Sequence, residues 1–191
     1  AHGAELNGRP VGSFGHAAAF SFCQDKIITT GGEGGLVALD DEAAWNKAWS
    51  YKDHGKSYQA VFAREHAPGF RWLHESFGTN WRMTELQAAL GVSQMARLDD
   101  YVARRHALAA RYDTLLAGLP ITRPWQHPDS YSGLHLYVIR LQLDQIGKTH
   151  RQVFEALREQ GIGVNLHYIP VHTQPYYQQM GFKAGDFPEA E

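Results

Sequence analysis

The feature of this sequence that most restricts its fold is a long helical pattern over residues 83–118, MTELQAALGVSQMARLDDYVARRHALAARYDTLLAG. Leucine, alanine and methionine recur at the spacing of one helix face, and Thr84 or Asn80 is placed to cap the first turn. Gly118 and then Pro120 end the pattern. The spacing predicts one helix of about ten turns, and such a length indicates a segment that links two domains or packs against a second subunit.

Shorter patterns on both sides of this helix predict a mixed α/β architecture. Before it, two short apolar stretches predict strands, the first of them buried, and Asp40 or Asp41 predicts the capped start of a helix that ends near Lys52. After it, an amphipathic helix between two strands is typical of a small α+β domain. The predicted strands lie at 17–22, 35–39, 135–143 and 163–167, and the amphipathic helix lies at 148–160.

Composition narrows the partners that such a protein would have. The chain of 191 residues has a net charge of −2 and a pI of about 6.6. Its overall charge therefore shows no excess of basic residues for binding nucleic acid or an anionic membrane. Cys23 is the single cysteine, which excludes an internal disulfide framework and favours a reducing compartment such as the cytoplasm. No apolar run reaches the roughly 20 residues that span a bilayer. The first residue, Ala1, and the helix-start pattern at 188–191 predict an internal fragment of a longer protein.

The residue with the most distinctive chemical setting is Lys26, between the apolar stretch AAAFSF and the glycine-dense TTGGEGG. A strand end puts its amine on a rigid element, where desolvation lowers the pKa of an amine and makes it a nucleophile for carbonyl groups. An ordinary surface lysine fits the same pattern. Ser21 offers a hydroxyl for a phosphate or, alternatively, for a turn. The glycines match neither of two common nucleotide-binding motifs, G-x-x-x-x-G-K-[ST] and G-x-G-x-x-G. They favour a tight turn beside a bulky ligand.

Two further groups of polar residues are candidate ligand sites. Asn80 and Arg82 put an amide and a guanidinium at a helix N-terminus, which favours an anion such as phosphate; a capping Asn and a surface Arg are the alternative. His167, Tyr168 and His172 lie in an extended, proline-interrupted segment that suits a polar and aromatic wall for a sugar-like or nucleotide ligand. Metal ligation, as in a hydrolase, lacks a third ligand at suitable spacing, and partly exposed loop rings are the remaining alternative.

Three stretches together, SFCQDKIITTGGEGG, NWRMTELQAALG and HYIPVHTQPYY, resemble the sugar aminotransferases of the DegT/DnrJ/StrS family. The resemblance follows the family's order along essentially the whole chain. It implies an α/β protein of the aspartate aminotransferase type, the PLP-dependent transferase fold type I. Residues 1–82 would form the C-terminal part of the large PLP-binding domain, with a mixed sheet in an α/β/α arrangement. Residues 83–118 would form the connecting helix, and residues 119–191 a truncated small α+β domain.

The resemblance also implies roles for the candidate residues. Lys26 would hold pyridoxal 5′-phosphate (PLP) as an internal Schiff base and shuttle protons between cofactor and substrate. Ser21 would bind the cofactor phosphate, and Asn80, assisted by Arg82, would reach the phosphate of the other subunit in a homodimer. The segment with His167, Tyr168 and His172 would lie near the nucleotide-sugar site.

The implied reaction is PLP-dependent transfer of an amino group, with glutamate as donor, to a nucleotide-linked keto-deoxysugar in surface polysaccharide or O-antigen synthesis. A sugar dehydratase branch of the family is an alternative, but it has histidine where this chain has Lys26. A non-catalytic regulatory homologue is another. The family's aspartate for the cofactor's pyridine nitrogen would precede Ala1, so the fragment alone is expected to be inactive.

Overall fold

The computed structural model of the chain describes residues 2–69 and 73–191. It divides into two compact units: Ala1–Leu115 with Trp125–Leu136, and Leu116–Pro124 with Tyr137–Glu191. The strands are β1 (Glu5–Leu6), β2 (Arg9–Pro10), β3 (Ala17–Ser21), β4 (Gly35–Leu39), β5 (Ile121–Thr122), β6 (Ser130–Tyr131) and β7 (Arg140–Leu141). The helices are α1 (Glu42–Lys52), α2 (Tyr58–Phe62), α3 (Glu85–Met95), α4 (Leu98–Leu115), α5 (His150–Glu159) and α6 (Pro175–Gln179), with a 3-10 turn at Val171–Thr173.

The first unit contains a two-stranded hairpin that ends beside Lys26. Strands β3 and β4 pair antiparallel, with Ala17 opposite Leu39 and Ser21 opposite Gly35. Both strands were predicted from the sequence, but the predicted burial of the first is wrong, because its residues alternate between exposed and half-buried. Successive strand side chains point to opposite faces, and the described residues cover neither face completely. A second small sheet has the order β2-β1-β6.

The loop that follows Lys26 contributes much of the core of the first unit. Ile27, Ile28 and Thr30 are all buried, and Ile28 is only 1% exposed. Helix α3 fastens this loop, since the Gln94 side-chain oxygen accepts a hydrogen bond from the backbone N–H of Thr29 at 2.7 Å. The loop is therefore one of the most firmly held parts of the unit, although it has no regular secondary structure.

The predicted single helix over 83–118 is wrong in one respect, since the structure has two helices there, α3 and α4. Between them the backbone N–H of Arg97 bonds to the carbonyl of Gln94, three residues back, instead of continuing the four-residue pattern. No glycine or proline marks the junction. Asp99 and Asp100 lie in the first turn of α4, where acidic side chains interact favourably with the helix dipole. In the sequence, these two residues were the available signal that a second helix begins there.

A capping box begins helix α3 and gives a direct test of its stability. The Thr84 hydroxyl accepts from the backbone N–H of Gln87 at 3.3 Å, and the Gln87 side chain accepts from the backbone N–H of Thr84 at 3.0 Å. We expect Thr84→Ala to lower the free energy of unfolding by about 1 kcal/mol in urea denaturation. Thr114→Ala, in the last turn of α4, removes a threonine that caps no helix start; it is the control and should cost less. Equal costs would contradict the role of the cap.

The second unit keeps the predicted helix and loses most of the predicted strands. Helix α5 is capped by Thr149 and matches the predicted amphipathic helix at 148–160. Strands β5 and β7 pair antiparallel, but β7 covers only two residues of the predicted strand at 135–143. The predicted strand at 163–167 is wrong, since these residues are irregular. The carbonyl of Val164 there accepts from the Arg158 side chain at 3.0 Å. Residues 188–190 form a turn where a helix start was predicted at 188–191.

Among residues 2–69 and 73–191, none of the helices combines the length and the apolar character that crossing a membrane requires. The predicted division at residues 82 and 118 stays a prediction about the domains of the whole protein.

Candidate active site

The loop after β3 holds Lys26 in a defined place. Its backbone N–H donates to the carbonyl of Cys23 at 3.0 Å, which closes a turn. The neck of the loop is tied by the backbone N–H of Phe22, which donates to the carbonyl of Gly34 at 2.8 Å. The Lys26 side chain is 31% exposed, directly before the buried Ile27. The structure therefore presents a half-buried primary amine on a rigid loop.

The nearest charge to the Lys26 amine is a carboxylate on the same turn. Asp25 Oδ1 lies 3.7 Å from Lys26 Nζ and is itself well exposed. A hydrogen bond with the Cys23 side chain is the main cause that lowers the pKa of the Asp25 carboxyl, and the positive charge of Lys26 acts in the same direction. A contact of this length with an exposed carboxylate leaves the amine able to turn towards another ligand.

Lys26 lines a cleft of about 440 Å³. The other lining residues are Ile27, Thr29, Gln94, Tyr101, Arg104, Arg105 and Leu108. Arg105 is held in place because its guanidinium donates to the carbonyls of Leu134 and His135 at 3.2 and 3.0 Å. An amine beside two guanidinium groups suits a ligand that carries both a carbonyl and an anionic group.

His2 stands beside this loop and was not among the predicted site residues. Its ring stacks on Phe22 at 5.4 Å and on Phe20 at 6.3 Å, and it is buried. Burial lowers the pKa of His2, and the charge of Lys26 adds to this effect. A buried imidazole therefore packs against the strand that leads to Lys26.

Asn80 and Arg82 lie together, as their spacing suggested. The Arg82 Nε–H donates to Asn80 Oδ1 at 3.0 Å, and an Arg82 terminal nitrogen lies 3.5 Å from Asp53 Oδ1. Asn80 is exposed, and its neighbours Phe77 and Trp81 are 83% and 71% exposed. This corner of the first unit thus offers an oriented amide in a segment that carries two exposed aromatic side chains.

The predicted irregular stretch at 53–81 contains helix α2, and its residues 70–72 lie outside the described residues. Its last part runs along the end of α1. The backbone N–H of Thr79 donates to the carbonyl of Tyr51 at 2.6 Å, and that of Trp81 to Lys52 at 3.0 Å. Asn80 is therefore held on both sides by backbone hydrogen bonds.

The three predicted substrate contacts all lie in the second unit, in different settings. His167 and Tyr168 are exposed and their rings are in contact, with centroids 4.1 Å apart. His172 is buried, with its Nε2 2.7 Å from Glu191 Oε1 and its ring against Phe187. Within the part of the chain that the structure describes, no three His, Cys, Asp or Glu side chains are grouped to hold a metal ion.

The glycines after Lys26 have a reason within the chain itself. A Cβ on Gly34 would lie 2.2 Å from the Thr30 hydroxyl, and one on Gly35 would lie 3.1 Å from the carbonyl of Phe20. These two glycines allow the loop to close tightly on β3. Room for a ligand is not needed to explain them.

Comparison with known proteins decides the family. The sequence model of the DegT/DnrJ/EryC1/StrS aminotransferase family matches residues 1–191. The chain belongs to this family. The resemblance in three stretches is confirmed, and so is the α/β fold class of the PLP-dependent sugar aminotransferases, of which the chain forms a partial domain.

Similar members of the DegT/DnrJ/EryC1/StrS family include proteins of sugar metabolism. The spore coat polysaccharide biosynthesis protein SpsC of Bacillus subtilis is 41% identical over 95% of the chain and 47% of its own length. The dTDP-3-amino-3,4,6-trideoxy-alpha-D-glucose transaminase of Streptomyces venezuelae is 34% identical over 100% of the chain and 46% of its own length. The chain thus spans about half the length of these relatives.

A solved structure of the same fold also identifies the cofactor of this kind of enzyme. A Streptococcus pneumoniae protein described as a sugar aminotransferase, solved in its PLP form, superposes with a TM-score of 0.84 at 26% identity. The match covers 100% of the chain and 47% of that protein. PLP is therefore the cofactor that this family of aminotransferases uses.

Proposed function

We propose that the protein containing this chain is a PLP-dependent aminotransferase that transfers the amino group of glutamate to the keto carbon of a nucleotide-linked deoxysugar. The observation that carries this proposal is the Lys26 amine, half-buried on a rigid loop at the edge of a cleft, in a chain of an aminotransferase family. The nucleotide-linked substrate is supported by the dTDP-sugar named for the Streptomyces relative.

The residues of the chain fit PLP chemically. Lys26 supplies the primary amine that joins an aldehyde. The Ser21 hydroxyl accepts from the backbone N–H of Cys23 at 3.3 Å, which leaves its own O–H to donate to a phosphate oxygen. Asn80 supplies amide N–H donors for the same kind of anion. An amine, a hydroxyl and an amide are the donor set that a phosphate-bearing aldehyde requires.

Each residue then has a defined task. Bound PLP supplies an electron sink for the carbanion that forms when the amino donor loses a proton. Lys26 Nζ would hold the cofactor through its primary amine and would be the group that takes up the donor's proton and returns it. Ser21, together with Asn80 of the partner subunit, would bind the phosphate and so orient the cofactor towards Lys26.

We further propose a homodimer in which Asn80 binds the cofactor phosphate of the partner subunit. The support is the exposure of Asn80 in a segment that also exposes the aromatic side chains of Phe77 and Trp81, because exposed apolar side chains that lie together are typical of interaction sites. His167 and Tyr168 are the proposed contacts for the nucleotide sugar, with His172 holding their segment from within the second unit.

The cytoplasm is the proposed location, supported by the single unpaired Cys23. The proposed pathway is the synthesis of a surface polysaccharide, supported by the role named for the spore coat relative. Because Lys26 stands where the dehydratase branch has histidine, dehydration is the less favoured reaction.

A substrate panel tests the proposed reaction. The full-length protein, glutamate and a set of nucleotide-linked 3-keto and 4-keto deoxysugars should give one amino sugar, detected by product mass, together with 2-oxoglutarate. Release of 2-oxoglutarate without any amino sugar would contradict the sugar acceptor. A protein that forms neither product would contradict the aminotransferase assignment and favour the regulatory homologue.

A further inference from the structure

Asp53, the residue that follows helix α1, is a buried carboxylate that lies close to three side chains, those of Lys56, His54 and Arg82. It is 8% exposed, and its Oδ1 lies 3.2 Å from Lys56 Nζ, 3.0 Å from His54 Nδ1 and 3.5 Å from Arg82. Burial alone would raise the pKa of Asp53, but the hydrogen bonds from His54 and Lys56 outweigh it and lower the pKa. Asp53 is thus a buried anionic side chain that is stabilised by several hydrogen-bond and charge partners.

The backbone brings Asp53 to Asn80. Asp53 and Asn80 pair in an isolated antiparallel bridge, although they are 27 positions apart in the sequence. The neighbouring hydrogen bonds from Thr79 and Trp81 to the end of α1 fix the same register. The Arg82 side chain, which contacts both Asn80 and Asp53, therefore acts on a backbone that is already in place.

The orientation of the Asn80 amide follows from its partner. A guanidinium has only donors, so the Asn80 atom that receives the Arg82 Nε–H at 3.0 Å must be the carbonyl oxygen. The Asn80 NH₂ group then points away from Arg82 with donors available to a ligand. Arg82 has Nε on Asn80 and a terminal nitrogen near Asp53, so the same two contacts hold both ends of its guanidinium.

From these contacts we infer that Asp53 and Arg82 are positioning residues: Asp53 holds the Arg82 guanidinium, and Arg82 turns the Asn80 amide so that its NH₂ group faces an anionic ligand. This inference rests on the function proposed above, in which that ligand is the cofactor phosphate. In this inference Arg82 does not contact the phosphate itself but orients the Asn80 amide that does. It also gives Asp53, which the sequence analysis did not single out, a role in cofactor affinity.

The test compares the affinities of the full-length protein for PLP and for pyridoxal, which lacks the phosphate. Asn80→Ala should weaken PLP binding by about 10-fold to 100-fold, the range for a lost hydrogen bond to a charged group. Asp53→Asn and Arg82→Lys should weaken it by about 3-fold to 10-fold and leave pyridoxal binding unchanged. Glu75→Gln, which breaks the exposed Glu75–Arg64 pair at 2.9 Å, is the matched control and should change neither affinity.

The double variant Asp53→Asn/Asn80→Ala separates the possible roles. If Asp53 acts through Asn80, this variant binds PLP no more weakly than Asn80→Ala alone. Additive losses, or equal losses for PLP and pyridoxal, would overturn the inference. Arg82→Lys keeps a positive charge near Asp53, so it decides the question even if Asp53→Asn does not fold. Unchanged PLP affinity in Asn80→Ala would instead contradict the proposed phosphate contact itself.

Discussion

Replacing Lys26 with alanine is expected to remove the visible absorbance of lysine-bound PLP and to lower kcat for amino transfer by at least about 1,000-fold. The reason is that Lys26 Nζ serves both as the attachment point and as the group that moves the proton, and proton transfer by a positioned side chain alone contributes about 100-fold to 10,000-fold. The measurement is an absorption spectrum of the purified full-length protein followed by single-turnover kinetics with glutamate.

Two control variants test whether the effect comes from the amine of Lys26, from its positive charge, or from the loss of any lysine. Lys26→Arg keeps a positive charge, but arginine stays protonated and does not serve as the nucleophile, so this variant should lose the absorbance as well. Lys47→Ala removes an exposed lysine of helix α1 and should leave spectrum and rate unchanged. Persistence of the absorbance in Lys26→Ala would contradict the assignment.

Gly55→Ala is expected to give the largest loss of stability, at least about 3 kcal/mol in the free energy of unfolding. Gly55 has a φ of +80°, which side chains rarely adopt, and a Cβ there would lie 1.6 Å from the carbonyl oxygen of Ser76. The carbonyl of Gly55 also accepts from the backbone N–H groups of Glu75 and Ser76 at 2.9 and 3.1 Å. An added methyl group must therefore push the stretch that carries Asn80 away from α1.

Gly69→Ala is the matched control for this substitution. Gly69 has nearly the same φ, +85°, but none of the atoms of the described residues outside its chain neighbours lies within 4 Å of the position of its Cβ. Its replacement should cost only the backbone strain, about 1 kcal/mol. Urea denaturation of the full-length variants measures the difference. Equal costs at the two positions would show that close packing at Gly55 is not what stabilises this stretch.

The sequence predicted those helices and strands whose own residues carry the signal, such as a capping side chain or a regular spacing of apolar residues. Strand β4 matches the predicted range, helix α1 ends at Lys52 with Asp41 as its cap, and α5 lies within the predicted helix. The break between α3 and α4 was missed because it depends on one backbone hydrogen bond, from Arg97 to Gln94. The prediction of a strand at 163–167 is wrong because a strand forms only where a second strand lies beside it for backbone hydrogen bonding, which a local pattern does not reveal.

For the candidate site, the sequence indicated the residue types but not the residues that hold them. Lys26, Ser21, Asn80 and Arg82 could be singled out from spacing and resemblance. Asp53 could not, because its partners include a side chain 29 positions away that only the fold brings near. Gln94 and Arg105 were missed for the same reason, since each binds backbone far from it in the chain.

The measurement that tests the account most directly is reduction of the full-length protein with sodium borohydride in the presence of PLP, followed by peptide mass spectrometry. Reduction makes the link between lysine and cofactor permanent, so the modified residue is identified by its fragment masses. We predict one phosphopyridoxyl group per chain, on Lys26. A group on another lysine, or no modified lysine at all, would contradict the central claim that Lys26 holds the cofactor.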